Sequence, residues 1–184
     1  MSTVRRFLLL FDLALLILWI AFAVAVYDRL PDTIPTHFGP SGVADAYAAR
    51  SVSSWFAMPA IGVCATLLVL GLAHHSSGRP SMYNVPGKDE LLALPAAVQQ
   101  PFVEQLALFM TVIGTSVLLL FIAIHYDAWR VAMGAQRGLS MVSWTAIGLN
   151  IACVIIALPL WLVHFKRNVS SARAQLVTRN KRAS

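Results

Sequence analysis

Long apolar runs separated by short polar stretches dominate this chain. Four windows, roughly Phe7–Tyr27, Ser54–His74, Gln105–Tyr126 and Met141–Phe165, approach or exceed the ~20 apolar residues that cross a hydrocarbon core about 30 Å thick. Backbone groups in lipid must be satisfied within their own segment, so each window is predicted to be helical. No window shows the period-two alternation that a barrel strand requires. The pattern predicts an all-α, polytopic membrane protein: four transmembrane helices, with a short ordered extracytoplasmic loop between the first and second.

Composition agrees. Apolar residues make up 58% of the 184 positions and charged residues 12%, against roughly 25% charged in a soluble domain. Mean hydropathy is +0.71. Arg5 and Arg6 precede the first window, and Ala23-Val24-Ala25 mimics a cleavage site. The apolar run nevertheless outlasts the ~7–15 residues of a signal-peptide core, so it reads as an uncleaved signal anchor.

Lys and Arg set the expected orientation. The N-terminal flank, the middle connection and the tail hold 10 of them, whereas the other two connections hold 4: Arg29, Arg50, Arg130 and Arg137. With four spans, both termini are expected in the cytoplasm. The chain then divides into residues 1–74 (span one, outer motif, span two), a cytoplasmic connection over 75–104, spans three and four over 105–165, and a basic tail over 166–184. The tail carries Lys166, Arg167, Arg173, Arg179, Lys181 and Arg182 without one acid, which equals the net charge of +6. Anionic lipid attracts such residues by about 1 kcal/mol each near the surface, so the tail reads as a topology determinant resting on headgroups; nucleic acid is not an expected partner. In the middle connection, Leu91, Leu92 and Leu94 are predicted to dip into the interface as a short amphipathic segment, and Pro101 to occupy the first turn of the third helix.

Small residues four apart, Gly62 with Thr66, Thr111 with Thr115 and Gly148 with Ala152, let helix backbones approach and leave an oligomer open. Pro59 and Pro159 are expected to bend spans two and four. Trp55, Trp129, Trp144 and Trp161 stand near span ends, as an aromatic belt requires.

Chemistry-bearing residues are sparse. Asp12 lies inside span one, where an ionisable group is costly; the pattern favours helix docking or an interfacial position over a proton or ion role. Asn150, near the middle of span four, is expected to make an interhelical hydrogen bond. Cys64 and Cys153 both fall inside spans and imply no disulfide framework. His37 and His125 are expected on the outer side, and with Asp45 they form a conceivable zinc set. No HxxxH or HExxH spacing supports one, and no metal or other cofactor is assigned. No nucleophile, phosphate or dinucleotide motif is present, so no enzyme is predicted.

The stretch LPDTIPTHFGPSGVADAYAAR, Leu30 to Arg50, is the longest polar interruption outside the middle connection and tail. Pro31 and Pro35 stiffen it into an extended segment. Gly39-Pro40-Ser41-Gly42 fits a turn, and Ala44 to Arg50 is predicted to be helical. The fold-back brings His37 and Asp45 toward each other on a structured outer cap.

Pro35, His37, Phe38, Gly42 and Asp45 resemble the Pro-x-His-(Trp/Phe)-Asn-x-x-Gly-x-x-Asp motif of the domain of unknown function 1648. Gly39 stands where that family usually has Asn, and Arg50 where it usually ends in Lys. The resemblance covers span one, the outer loop and span two; NVPGK, Asn84 to Lys88, is similar to a second recurring element. This domain opens the SdpI-type bacterial membrane proteins, whose best-known member gives immunity to a secreted killing peptide and also signals. The resemblance implies a ligand-sensing or immunity-type protein of the bacterial inner (plasma) membrane. Its partners would be the lipid bilayer and an extracytoplasmic peptide or another membrane protein, with Pro35, His37, Phe38, Gly42, Asp45 and Arg50 as the ligand-facing motif. Two other classes stand beside it: an accessory subunit of a membrane assembly, and a small proton-coupled transporter using Asp12.

Overall fold

Every predicted span is a helix in the computed structural model, which describes residues 1–76 and 79–183. The order is α1 (Thr3–Tyr27), β1 (Thr33–Phe38), β2 (Ala44–Ala49), α2 (Val52–Ser76), a 3-10 turn (Pro80–Met82), α3 (Lys88–Leu92), α4 (Ala96–Ala132), α5 (Met141–Ala152), a π-helical turn (Cys153–Ala157) and α6 (Leu158–Ala183). Four helices are long and apolar enough to cross a membrane: α1, α2, α4 and the continuous run Met141–Arg182. The chain is a multi-pass membrane protein whose helices meet the lipid bilayer.

The bundle is built on α1, α2 and α4. Gly62 allows their approach: a Cβ there would lie 2.6 Å from the Trp19 ring and 2.9 Å from that of Phe121. Gly148 differs, with nothing within 4 Å of its Cβ position, so the Gly148–Ala152 pair brings no helices of this chain together. The fourth span is tied to α4 by Asn150, whose Oδ1 accepts from Ser116 Oγ at 3.1 Å and whose Nδ2 donates to the Ser116 carbonyl at 3.3 Å.

Two prolines mark irregular points in the helices. Pro159 has no N–H for the Ile155 carbonyl, and the chain widens just before it into the π turn, where the Leu158 N–H reaches back to the Cys153 carbonyl. Pro101 is not in the first turn of its helix: α4 begins at Ala96 with Pro95 as its cap.

At the tail end a second core replaces the interfacial segment predicted from Leu91, Leu92 and Leu94. Leu91 and Leu94 are buried with Tyr83, Val103, Leu106, Phe165 and Val169, while Leu92 stays exposed. The basic tail contributes one face to this core. It continues as α6, whose Phe165, Val169, Ala172 and Leu176 face the middle connection. The N-terminal amine meets Glu104 Oε1 at 2.9 Å at this same end.

Candidate functional site

The loop between α1 and α2 is a β-hairpin. Ala44–Ala49 is a strand, not the predicted helix, because pairing to β1 overrides the helix preference of an alanine-rich segment. The turn is as expected: the Gly42 N–H donates to the Gly39 carbonyl at 2.8 Å, and Gly42 at φ 77° takes the left-handed conformation that glycine adopts without penalty.

Two irregularities set the chemistry. Pro35 pairs with Tyr47, His37 with Ala46 and Phe38 with Ala44, leaving Thr36 and Asp45 as extra residues on their strands. Pro35 has no N–H to give the ladder, and bulges are where a strand tolerates that. The bulge at Asp45 turns its carboxylate back along the hairpin, where Oδ1 meets His37 Nδ1 at 2.5 Å. Both side chains remain open to solvent, 66% for His37 and 52% for Asp45. Gly39 leaves room for this pair, since a Cβ there would stand 2.6 Å from Asp45 Oδ2; an Asn at this position would displace the carboxylate or compete for it. Phe38 is half-buried.

Arg50 and Gly42 anchor the hairpin rather than face outward. The Arg50 guanidinium donates to the Asp28 carbonyl at 3.2 Å and lies 6.0 Å from the Tyr27 ring centre, so it fastens the hairpin base to the end of α1. At the tip, Val43 bridges Gly138 and the Leu139 N–H donates to the Gly42 carbonyl at 2.8 Å. A Cβ on Gly42 would meet the Trp144 ring at 2.9 Å, and one on Gly138 would meet the Gly42 carbonyl oxygen at 2.4 Å. The tip thus docks on the connection before α5. Beneath it, Leu30 and Ile34 join Val26 and Trp55 in a buried cluster, and Ser51 and Ser54 cap α2 reciprocally through N–H to Oγ bonds of 3.1 and 3.0 Å.

Two residues near this platform, His125 and Trp55, depart from the sequence reading. His125 is not at the surface: it is 1% exposed, accepts from Trp19 Nε1 at 2.9 Å and packs against Trp55, with ring centres 4.1 Å apart and planes tilted by 40°. It does not join His37 and Asp45, so the conceivable metal set is not assembled. Trp55 is no belt residue; it is buried, and its indole donates to the Ala23 carbonyl at 2.9 Å. Pro59 deprives the Trp55 carbonyl of its helical donor, and the His125 imidazole lies beside that carbonyl. Asp127 is a buried residue of α4 that accepts from the Ser140 N–H at 2.7 Å, Ser140 Oγ at 2.9 Å, Ser143 Oγ at 2.5 Å and Gln136 at 2.8 Å. A cavity of about 280 Å³ lies under the hairpin, lined by Pro35, Thr36, Ser54, Met58, Phe121 and His125 among others.

Asp12 stands apart from this group. It is fully buried, and its Oδ2 lies 3.1 Å from Thr115 Oγ1 on α4 while Oδ1 has no partner among the described residues.

Residues 13–63 match the family model described as Domain of unknown function (DUF1648). No curated protein and no solved structure matches the chain. The matched span encloses Pro35, His37, Phe38, Gly42, Asp45 and Arg50, and it leaves out Asp12, His125 and Asp127. Through this unit of α1, the hairpin and the first part of α2, the chain carries a segment similar to the domain of unknown function 1648.

Proposed function

We propose that this is a ligand-sensing membrane protein of the SdpI-like, immunity type. It would sit in a bacterial inner membrane with the hairpin outside and both termini in the cytoplasm. The observation that carries this reading is the His37–Asp45 pair, held on a docked hairpin yet open to solvent on both sides. An exposed pair of this kind contributes only ~0.2–1 kcal/mol to stability, so its value to the fold is small. A His edge and a free carboxylate oxygen together offer a donor and an acceptor to a polar ligand. The ligand class that the family likeness favours is an extracytoplasmic peptide that attacks the membrane. The role is binding rather than catalysis. The test is a gene-deletion screen against secreted peptides and envelope stress: the reading requires a sensitivity that the intact gene restores, and no sensitivity across the screen refutes it.

One observation favours a second reading, proton-coupled transport. The Thr115 hydroxyl has a single proton and touches two acceptors, Asp12 Oδ2 and the Thr111 carbonyl, each at 3.1 Å. A protonated Asp12 gives each contact its own proton, Asp12 donating to Thr115 and Thr115 to the Thr111 carbonyl, whereas an ionised Asp12 leaves Thr115 to share one proton between the two. An Asp12→Asn variant that retains full function would exclude this reading.

A further inference from the structure

The start of α6 after the fourth span carries two basic side chains, Lys166 and Arg167, on a face outside the core. The α6 face with Phe165, Val169, Ala172 and Leu176 is taken up by the core. The adjoining face presents Lys166 above Ser170 and Arg167 above Ser171, pairs four apart that neighbour each other on a helix. With Pro86, Leu162 and Val163 these residues line a groove of about 700 Å³. Lys166 rests on the NVPGK turn, where a Cβ on Gly87 would lie 3.4 Å from its Cγ. Ser170 donates to Glu90 at 2.6 Å, while neither Lys166 nor Arg167 has an ion-pair partner among the described residues.

Leu162 also lines a second cavity, about 420 Å³, between α4 and α6. Its walls are largely apolar, with Phe109, Met110, Ile113, Leu158 and Trp161, and Tyr83 lines it as well. Tyr83 is 9% exposed and its hydroxyl is buried without a partner among the described residues. A buried phenol needs an acceptor.

The order of these features along α6 is that of a lipid molecule. At 1.5 Å per residue, about 6 Å of helix separates Lys166 from Leu162, and about 12 Å separates it from Leu158. A headgroup layer is about 5–7 Å deep on each side of the hydrocarbon core. We propose that this composite cleft binds one anionic glycerophospholipid. Lys166, Arg167 and Ser171 hold its phosphate, the Tyr83 hydroxyl donates to an ester carbonyl, and an acyl chain lies between α4 and α6. Free phosphate shares the headgroup chemistry and lacks the chain. The inference is independent of the role given to the hairpin.

The test is native mass spectrometry of the full chain in neutral detergent, titrated with phosphatidylglycerol, with phosphatidylcholine of the same chains, and with inorganic phosphate. Phosphatidylglycerol is expected to be retained as a single molecule and phosphatidylcholine to be lost. The exposed double variant Lys166→Gln with Arg167→Gln should weaken retention by about tenfold or more, given the attraction of each basic residue near a membrane surface. Tyr83→Phe should weaken it less, and Arg179→Gln with Arg182→Gln, an equal loss of charge further along the tail, should change it by under about twofold. Equal retention of both lipids overturns the proposal, as does equal weakening by the two double variants, which is diffuse attraction. Displacement of the lipid by millimolar phosphate reduces the site to a phosphate site and overturns it too.

Discussion

The indole N–H of Trp19 on α1 donates to Nδ1 of His125 on α4 across 2.9 Å, inside the bundle. An indole nitrogen only donates, so Nδ1 supplies a lone pair and the neutral ring carries its proton on Nε2. Trp55 of α2 packs against the same imidazole and sends its own N–H to α1 at Ala23. Three helices are thereby tied together directly under the hairpin, which gives the exposed His37–Asp45 pair a fixed base.

The two histidines should therefore respond oppositely to substitution. Removing His125 leaves the Trp19 N–H buried without an acceptor and opens a void, at a cost of about 2–4 kcal/mol. Removing His37 breaks an exposed pair and costs under ~1 kcal/mol. Thermal unfolding in detergent should show a large drop in Tm for His125→Ala and almost none for His37→Ala. Equal drops would mean that the burial of His125 is not structural.

Hairpin docking should depend on Gly138 more than its half-buried position suggests. A Cβ there meets the Gly42 carbonyl oxygen at 2.4 Å, and backbone cannot swing aside as a flexible side chain would. Gly138→Ala should undock the tip. The expected result is faster amide exchange over residues 38–44 and a red-shifted Trp144 emission, with exchange in α2 unchanged. Unaltered exchange at the tip would contradict the docking.

Asp127 should be among the most costly acidic residues to change. Its carboxylate gathers four donors from the connection and the start of α5. Asp127→Asn places an amide N–H against some of them, and hydrogen bonds to a charged group contribute roughly 1.5–3 kcal/mol each. A loss of about 2–4 kcal/mol is expected, measured as Tm, together with disorder at residues 136–143. A neutral outcome would show that the cap is not needed to start α5.

Much of this architecture was legible in the sequence. The four spans follow from apolar run length alone. Pro31, Pro35 and the turn Gly39–Gly42 announced a stiff fold-back, and the approach of His37 to Asp45 followed from it. The strand Ala44–Ala49 was not legible, because its residues favour helix locally and only pairing with β1 makes them extended. His125 was misplaced, and the role of Asp127 was not legible, for another reason. The apolar window ends near Tyr126, whereas α4 runs on to Ala132 and other segments cover its polar residues. Burial by distant chain leaves no local periodicity. The tail was different: Phe165, Val169, Ala172 and Leu176 stand at helical spacing, a readable stripe hidden by attention to charge.

The claim at the centre of this account is that His37 and Asp45 serve recognition rather than folding. The most direct measurement pairs complementation with stability for Asp45→Asn and His37→Ala in a strain lacking the gene. Wild-type abundance and Tm with loss of rescue is the predicted result. Full rescue by both variants would contradict it, and the hairpin would then be a structural cap alone.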